Sequence, residues 1–201
     1  MPLRRSFALV LAGVAVATLG TRAGLNMHEH GYGPGAAAWS MLRYYTIWMN
    51  GFVALYLMAV ALRGAWRPAL SAGLLLSIGA VALVYHGLLA DQLTYTGLEA
   101  WVDRGFHTVV PLGFALFWLI EPKRRIALPE VLPWLALPLV YCAYALVRGG
   151  IDGRYPYFFL DLPRQGVGGV AMWIAILTAG FLVGALAIRA LAGAMAGRDP
   201  R

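Results

Sequence analysis

The sequence is poor in charge. Only 12% of its residues are Asp, Glu, Lys or Arg, about half the roughly 25% of a soluble domain, while 61% are apolar. A water-soluble core built from 201 residues has no means of hiding that much apolar surface. The scarcity of charge therefore excludes an ordinary soluble domain and points to an integral membrane protein, and the mean hydropathy of +0.70 agrees. Cysteine is nearly absent: the single Cys142 excludes an intramolecular disulfide and any cysteine-based metal cluster. Acidic residues are scarcer than basic ones, 9 against 16, which leaves a net charge of +7. In a soluble chain such an excess would suggest nucleic acid. In an apolar chain no nucleic-acid partner is expected, and the question becomes which side of a membrane holds the excess.

What is present is a series of apolar stretches that approach or reach membrane length, about 20 helical residues. They cover 7–25, 41–62, 69–90, 106–121, 131–147 and 167–189. The expected fold is all-α: one polytopic membrane domain over 1–201, a bundle of six transmembrane helices. Arg4 and Arg5 ahead of the first apolar run resemble a signal peptide. The run continues to Leu25 with no clear small-residue cleavage site, so it reads as a retained helix. Gly180 and Gly184, three residues apart between them, allow close helix packing. Packing inside the bundle is their expected use, and the oligomeric state stays open.

The stretches sort the charge. One side collects Arg4, Arg5, Arg63, Arg67, Lys123, Arg124, Arg125, Arg189, Arg198 and Arg201, against only Glu121, Glu130 and Asp199. The other side balances Arg22, Arg43, Arg104, Arg148, Arg154 and Arg164 with Glu29, Asp91, Glu99, Asp103, Asp152 and Asp161. The positive-inside rule places the basic face and both termini in the cytoplasm, in a multi-pass protein of the plasma (inner) membrane. Trp39, Trp101 and Trp173 then fall near outer span ends, and Trp66, Trp118 and Trp134 near inner ones, as an interfacial aromatic belt does. The expected outer loops, 26–40, 91–105 and 148–166, are the long ones, and long loops are where function concentrates.

Polar groups inside a bilayer are costly and call for a reason. Arg43, Thr46 and Asn50 fall at i, i+3 and i+7, one face of the second expected helix. That face looks into the bundle or into water, and the ordinary reading of Thr46 is a helical threonine bonding its own i−4 carbonyl. Arg43 either snorkels to the outer headgroups or binds an anion. His107 opens the fourth span, with Pro111 four residues on, so the helix should kink there. Asp103, at i−4, is placed either to orient the imidazole or to cap the helix. His86 is the other histidine in a span, and the two together raise haem, metal or quinone chemistry. Two histidines are few for that, and no metal or other cofactor is expected. His28 and His30 lie in the first expected outer loop and read as solvated. The segment Arg154-Tyr155-Pro156-Tyr157-Phe158-Phe159-Leu160-Asp161 reads as an interfacial anchor or as a lid, with Tyr155 and Asp161 as polar supports.

Three segments taken together resemble a known family. They are Tyr44-Tyr45-Thr46-Ile47-Trp48-Met49-Asn50, His107-Thr108-Val109-Val110-Pro111 and Tyr155-Pro156-Tyr157-Phe158-Phe159-Leu160-Asp161. In order and spacing they resemble the androgen-induced six-helix membrane proteins, hydrolases of fatty acid esters of hydroxy fatty acids, and their bacterial relatives. The resemblance implies an intramembrane threonine hydrolase, with Thr46 as nucleophile and His107 as its histidine. It also implies a long-chain lipid ester as substrate and membrane lipids as surroundings. Beside this stand our own expectations that Asn50 donates to the oxyanion, that Arg43 holds a substrate carboxylate or phosphate, and that Asp103 orients His107. A non-catalytic lipid-binding or transport protein is the alternative reading of the same polar residues.

Overall fold

A computed structural model describes residues 2–92 and 94–197. Arg198, Asp199 and Arg201 of the charge count lie outside the described residues. The chain is all-α, with no strand among the described residues. Its helices are α1 (Pro2–His30), α2 (Pro34–Met41), α3 (Tyr45–Arg63), α4 (Pro68–Val84), α5 (Gly97–Arg104), α6 (Val110–Ile120), α7 (Leu132–Asp152) and α8 (Leu162–Ala196). Two π-turns join this series, Tyr85–Leu89 after α4 and Gly105–Val109 between α5 and α6. Among the described residues, five helical segments are long and apolar enough to cross a membrane: Leu3–His30, Tyr45–Arg63, Pro68–Leu89, Leu128–Asp152 and Leu162–Ala196. The expected span 106–121 consists of most of the second π-turn plus α6, a shorter apolar piece with an interrupted ladder.

The chain divides into two compact units, Met1–Pro122 and Lys123–Arg201. In the first, α3 buries Met49, Val53, Leu57 and Val60 completely. Their spacing puts them on one face of the helix. α1 packs on α3 and buries Ala8, Ala12 and Ala15, small side chains that let two backbones approach closely. Phe114 and Phe117 of α6 complete this core and meet Tyr56 edge-on at 6.1 and 6.4 Å. The basic end is fastened by polar groups. Arg5 donates to Ala61 O at 2.9 Å and to Leu62 O at 2.7 Å, carbonyls in the last turn of α3 that lack a following turn to bond. Glu121, buried at the end of α6, accepts from Tyr56 Oη at 2.7 Å and from Ser71 Oγ. One carboxylate thus ties α3, α4 and α6.

In the second unit, Arg124 pairs with Glu130 of a 3₁₀ turn at Leu128–Val131 that leads into α7. Asp161 caps α8, its Oδ1 accepting from Arg164 N at 3.2 Å. Gly166, at φ 67° and ψ 168°, breaks α8 after its first turn, a backbone conformation that suits only glycine. Trp173 of α8 then packs edge-on against Phe158 at 5.5 Å, which holds the aromatic segment to the helix.

Several expected boundaries move. His28 and His30 lie not in a loop but in the last turn of α1, exposed. The expected outer loop 26–40 contains α2. The second expected helix does not begin at Met41: residues 42–44 form a turn, and α3 starts at Tyr45. Arg43 therefore does not share a helical face with Thr46 and Asn50. Arg148 and Asp152, expected in an outer loop, belong to α7, which runs further than its apolar stretch.

Candidate functional site

The site is built where the start of α3 meets the second π-turn, on which Tyr85 of the first π-turn packs, all within the first unit. Thr46 is the second residue of α3. A threonine inside a helix ordinarily bonds its hydroxyl to the i−4 carbonyl. Thr18 and Thr21 of α1 do so at 2.8 Å. Thr46 does not, because residues 42–44 are not helical and Leu42 O accepts from Trp48 Nε1 at 2.8 Å instead. Its Oγ1 lies 3.3 Å from His107 Nε2.

His107 sits in the middle of the second π-turn. Pro111 contributes to that break by supplying no N–H to the ladder. The π-turn absorbs the interruption, with Val110 N bonded five residues back to Gly105 O. Gly105 has its own reason to be glycine. A Cβ there would meet Thr18 of α1 at 2.8 Å, so only a bare backbone lets this turn close on α1. The shifted ladder leaves Phe106 O without its ordinary donor, since Val110 N is diverted and Pro111 has none. Asn50 Nδ2 supplies a donor at 3.4 Å and also donates to Thr46 O at 2.8 Å. Asn50 is completely buried, and its Oδ1 has no partner.

The other imidazole nitrogen is also engaged. His107 Nδ1 lies 2.9 Å from Asp103 Oδ1 and 3.1 Å from Asp103 O. Both are acceptors, so Nδ1 carries the hydrogen and Nε2 faces Thr46 with its lone pair. Burial by itself pushes the Asp103 carboxyl up, but the hydrogen bonds from His107 and Tyr85 outweigh it and hold the group below its ordinary value. Asp103 stands on α5, one turn ahead of the apolar stretch. α5 is anchored through Glu99, which accepts from Arg22 of α1 at 3.0 Å. Arg22 also donates to Asn26, and Asn26 Nδ2 donates to Ser40 Oγ of α2 at 2.9 Å.

The structure thus brings Thr46, His107, Asp103 and Asn50 together, and it corrects the role expected of Asn50. Both amide hydrogens of Asn50 are spent on backbone carbonyls, so they are not available to an oxyanion. A flipped amide would set its oxygen against the same two carbonyls. The first turn of α3 offers the alternative: Ile47 N and Trp48 N both turn back to Tyr44 O, and the Thr46 amide stands in the first turn, where no preceding helical turn is available to bond.

Arg43 is half-buried in the turn before α3. His86 does not join His107: its Nε2 lies 3.1 Å from Thr108 Oγ1, on the exposed side of the first π-turn. With both His107 nitrogens engaged, the two histidines are not arranged as a ligand pair. Among the described residues no three His, Cys, Asp or Glu side chains are grouped as a metal site. Tyr155 and Asp161 belong to the second unit and have local partners there. The Tyr155 ring lies so close to Gly149 of α7 that a Cβ at that position would collide with it, and Asp161 is the α8 cap.

Tyr85 is the residue that sequence reasoning missed. It is buried at the start of the first π-turn. Its ring stacks on the His107 imidazole with centroids 3.8 Å apart and planes 6° from parallel. Its hydroxyl donates to Asp103 Oδ2 at 2.5 Å. A tyrosine in an apolar helix looks like core filling, and no spacing signal distinguishes it.

Asp103 and His107 side chains are 15% and 14% exposed. The group is shielded yet reachable, and it has the connectivity of a hydroxyl, a base and an orienting carboxylate. Comparison with known proteins adds no relative, since no family model, no curated protein and no solved structure matches the chain.

Proposed function

We propose that this chain is an intramembrane threonine hydrolase that cleaves fatty-acyl esters, with Thr46 as nucleophile and His107 as base. The observation that carries the reading is the Thr46 Oγ1 to His107 Nε2 approach of 3.3 Å, with Nδ1 held by Asp103. The distance is long for a hydrogen bond of this kind, and unliganded catalytic bonds tighten when substrate fills the site. The resemblance of the 44–50, 107–111 and 155–161 segments to the androgen-induced six-helix hydrolases supports the same chemistry and a lipid ester as substrate.

A threonine hydroxyl is a weak nucleophile until a base takes its proton. Thr46 Oγ attacks the acyl carbonyl carbon as His107 Nε2 accepts that proton, and Asp103 stabilises the imidazolium. The tetrahedral oxyanion is met by the Thr46 amide in the first turn of α3, where the helix dipole is positive. As the carbon–oxygen bond to the alcohol breaks, His107 returns the proton to the departing oxygen. The acyl group then remains as an ester on Thr46. A water molecule gives its proton to His107 and attacks that ester. Collapse releases the fatty acid, and the proton goes back to Thr46. In this reading Arg43, in the turn just ahead of α3, receives a carboxylate or phosphate elsewhere on the substrate, for which its planar fork is suited.

The same reading includes six membrane crossings, the sixth supplied by the helix through 106–120. Both termini are cytoplasmic on the basic side of an inner membrane, and the site opens toward the outer leaflet. Side chains such as Leu83, Val183 and Leu55, 78%, 68% and 69% exposed, then face lipid. The test is turnover of long-chain acyl esters by the purified protein and by Thr46→Ala and His107→Ala variants of unchanged thermal stability. Both variants lose activity if the reading is right. Ligand protection without turnover in the parent protein would replace it with the lipid-binding alternative.

A further inference from the structure

Resting on the hydrolase reading, we propose that Tyr85 is a positioning residue for the reaction, holding Asp103 with its hydroxyl and the His107 ring with its face. Three contacts close a loop. His107 Nδ1 goes to Asp103 Oδ1 at 2.9 Å, Tyr85 Oη goes to Asp103 Oδ2 at 2.5 Å, and the Tyr85 ring covers the imidazole at 3.8 Å. Each carboxylate oxygen has its own donor, so the carboxylate cannot turn without losing one of them. The base is consequently fixed in tautomer by Asp103 and in plane by Tyr85.

The stacking geometry says when this matters. Two parallel aromatic faces at so short a distance are not the arrangement that neutral rings prefer, since both faces carry negative charge. A ring that bears a positive charge is attracted to the same face. The His107 imidazole becomes such a ring as it accepts the Thr46 proton. Tyr85 therefore favours the protonated intermediate over the resting state, and the contribution falls on kcat rather than on substrate binding. The π-turns make the contact. Tyr85 opens one, His107 lies in the other, and α4 packs along the second.

The experiment uses the full chain in detergent micelles with ¹⁵N-labelled histidine, the His107 signals being assigned by their loss in His107→Gln. The parent protein is expected to show His107 in the Nδ1–H tautomer. Tyr85→Phe keeps the stack and removes the hydroxyl: the second tautomer should appear, and kcat should fall about 10-fold with KM unchanged. Tyr85→Leu removes both contacts, and kcat should fall roughly 100-fold. A folded Tyr85→Leu protein with parental kcat and a parental His107 spectrum would overturn the proposal. Thr46→Ala, measured alongside, separates the two claims. Full turnover in Thr46→Ala removes the hydrolase reading, and the His107 spectrum of the Tyr85 variants then decides the role of Tyr85 independently of activity.

Discussion

The indole of Trp48 donates to Leu42 O at 2.8 Å, and Leu42 O is the carbonyl that a helical Thr46 would have used for its own hydroxyl. One side chain thus keeps the i−4 acceptor occupied while the turn at 42–44 keeps it out of helical register. The Thr46 hydroxyl is left to bond a histidine 61 residues away. Replacing Trp48 by Phe frees that carbonyl. The expected outcome is a fall in kcat of about 10-fold, since back-bonding of Thr46 then competes with its bond to His107. Steady-state kinetics on the folded variant checks it.

Asp103→Asn tests the orienting carboxylate. An amide in place of the carboxylate no longer selects the Nδ1–H tautomer and no longer stabilises the imidazolium. In hydrolases of this connectivity the comparable change costs about 10⁴ in kcat, and a loss of about 10²–10⁴ is expected here. Asp103 is held below its ordinary carboxyl value, so it is ionised at neutral pH. Its contribution to stability should be fully present above the ordinary carboxylate range and be lost only as pH falls through its depressed folded value. Unfolding melts of the parent and Asp103→Asn across mildly to strongly acidic pH measure this: the difference between them should shrink at the acidic end.

Asn50 is expected to behave as a structural donor. Asn50→Leu leaves Phe106 O without a donor in a buried setting, which costs about 1–3 kcal/mol. It also loosens the tie between the first turn of α3 and the second π-turn. The melting temperature and kcat should fall together. A variant that lost kcat at unchanged stability would restore Asn50 as a direct participant.

The clamp at the basic end provides a control. Tyr56→Phe removes the hydrogen bond to buried Glu121, and a buried polar group left without a partner costs about 1–3 kcal/mol. Stability should drop by that order while kcat and KM stay at parental values, because Tyr56 lies about 15 Å along α3 from Thr46.

The two principal residues were legible because each is polar inside an apolar stretch, where polarity has a cost. Asp103 followed from its i−4 spacing to His107. Tyr85 was not legible, because an aromatic ring in an apolar helix is the ordinary content of a core and only the fold sets it against an imidazole. The turn at 42–44 was hidden for a different reason. Leu42, Arg43 and Tyr44 include neither glycine nor proline, so a continuous helix from 41 was the natural reading, and it put Arg43 on the wrong face. Pro111 did announce the second break, though not that a π-turn would absorb it. The first π-turn, at Tyr85–Leu89, contains only Gly87 as a local signal. The role of Asn50 needed a count of its amide hydrogens, which residue type alone does not supply.

The central claim is that the Thr46 hydroxyl becomes covalently acylated with His107 as its base. The most direct measurement treats the membrane-embedded protein with a fluorophosphonate bearing a long alkyl chain and locates the adduct by mass spectrometry of its peptides. The account predicts a single adduct on Thr46, lost in Thr46→Ala, strongly slowed in His107→Ala and blocked by prior incubation with an acyl ester. An unlabelled Thr46 in a protein that still turns over acyl esters would contradict it, as would an adduct that persists in Thr46→Ala.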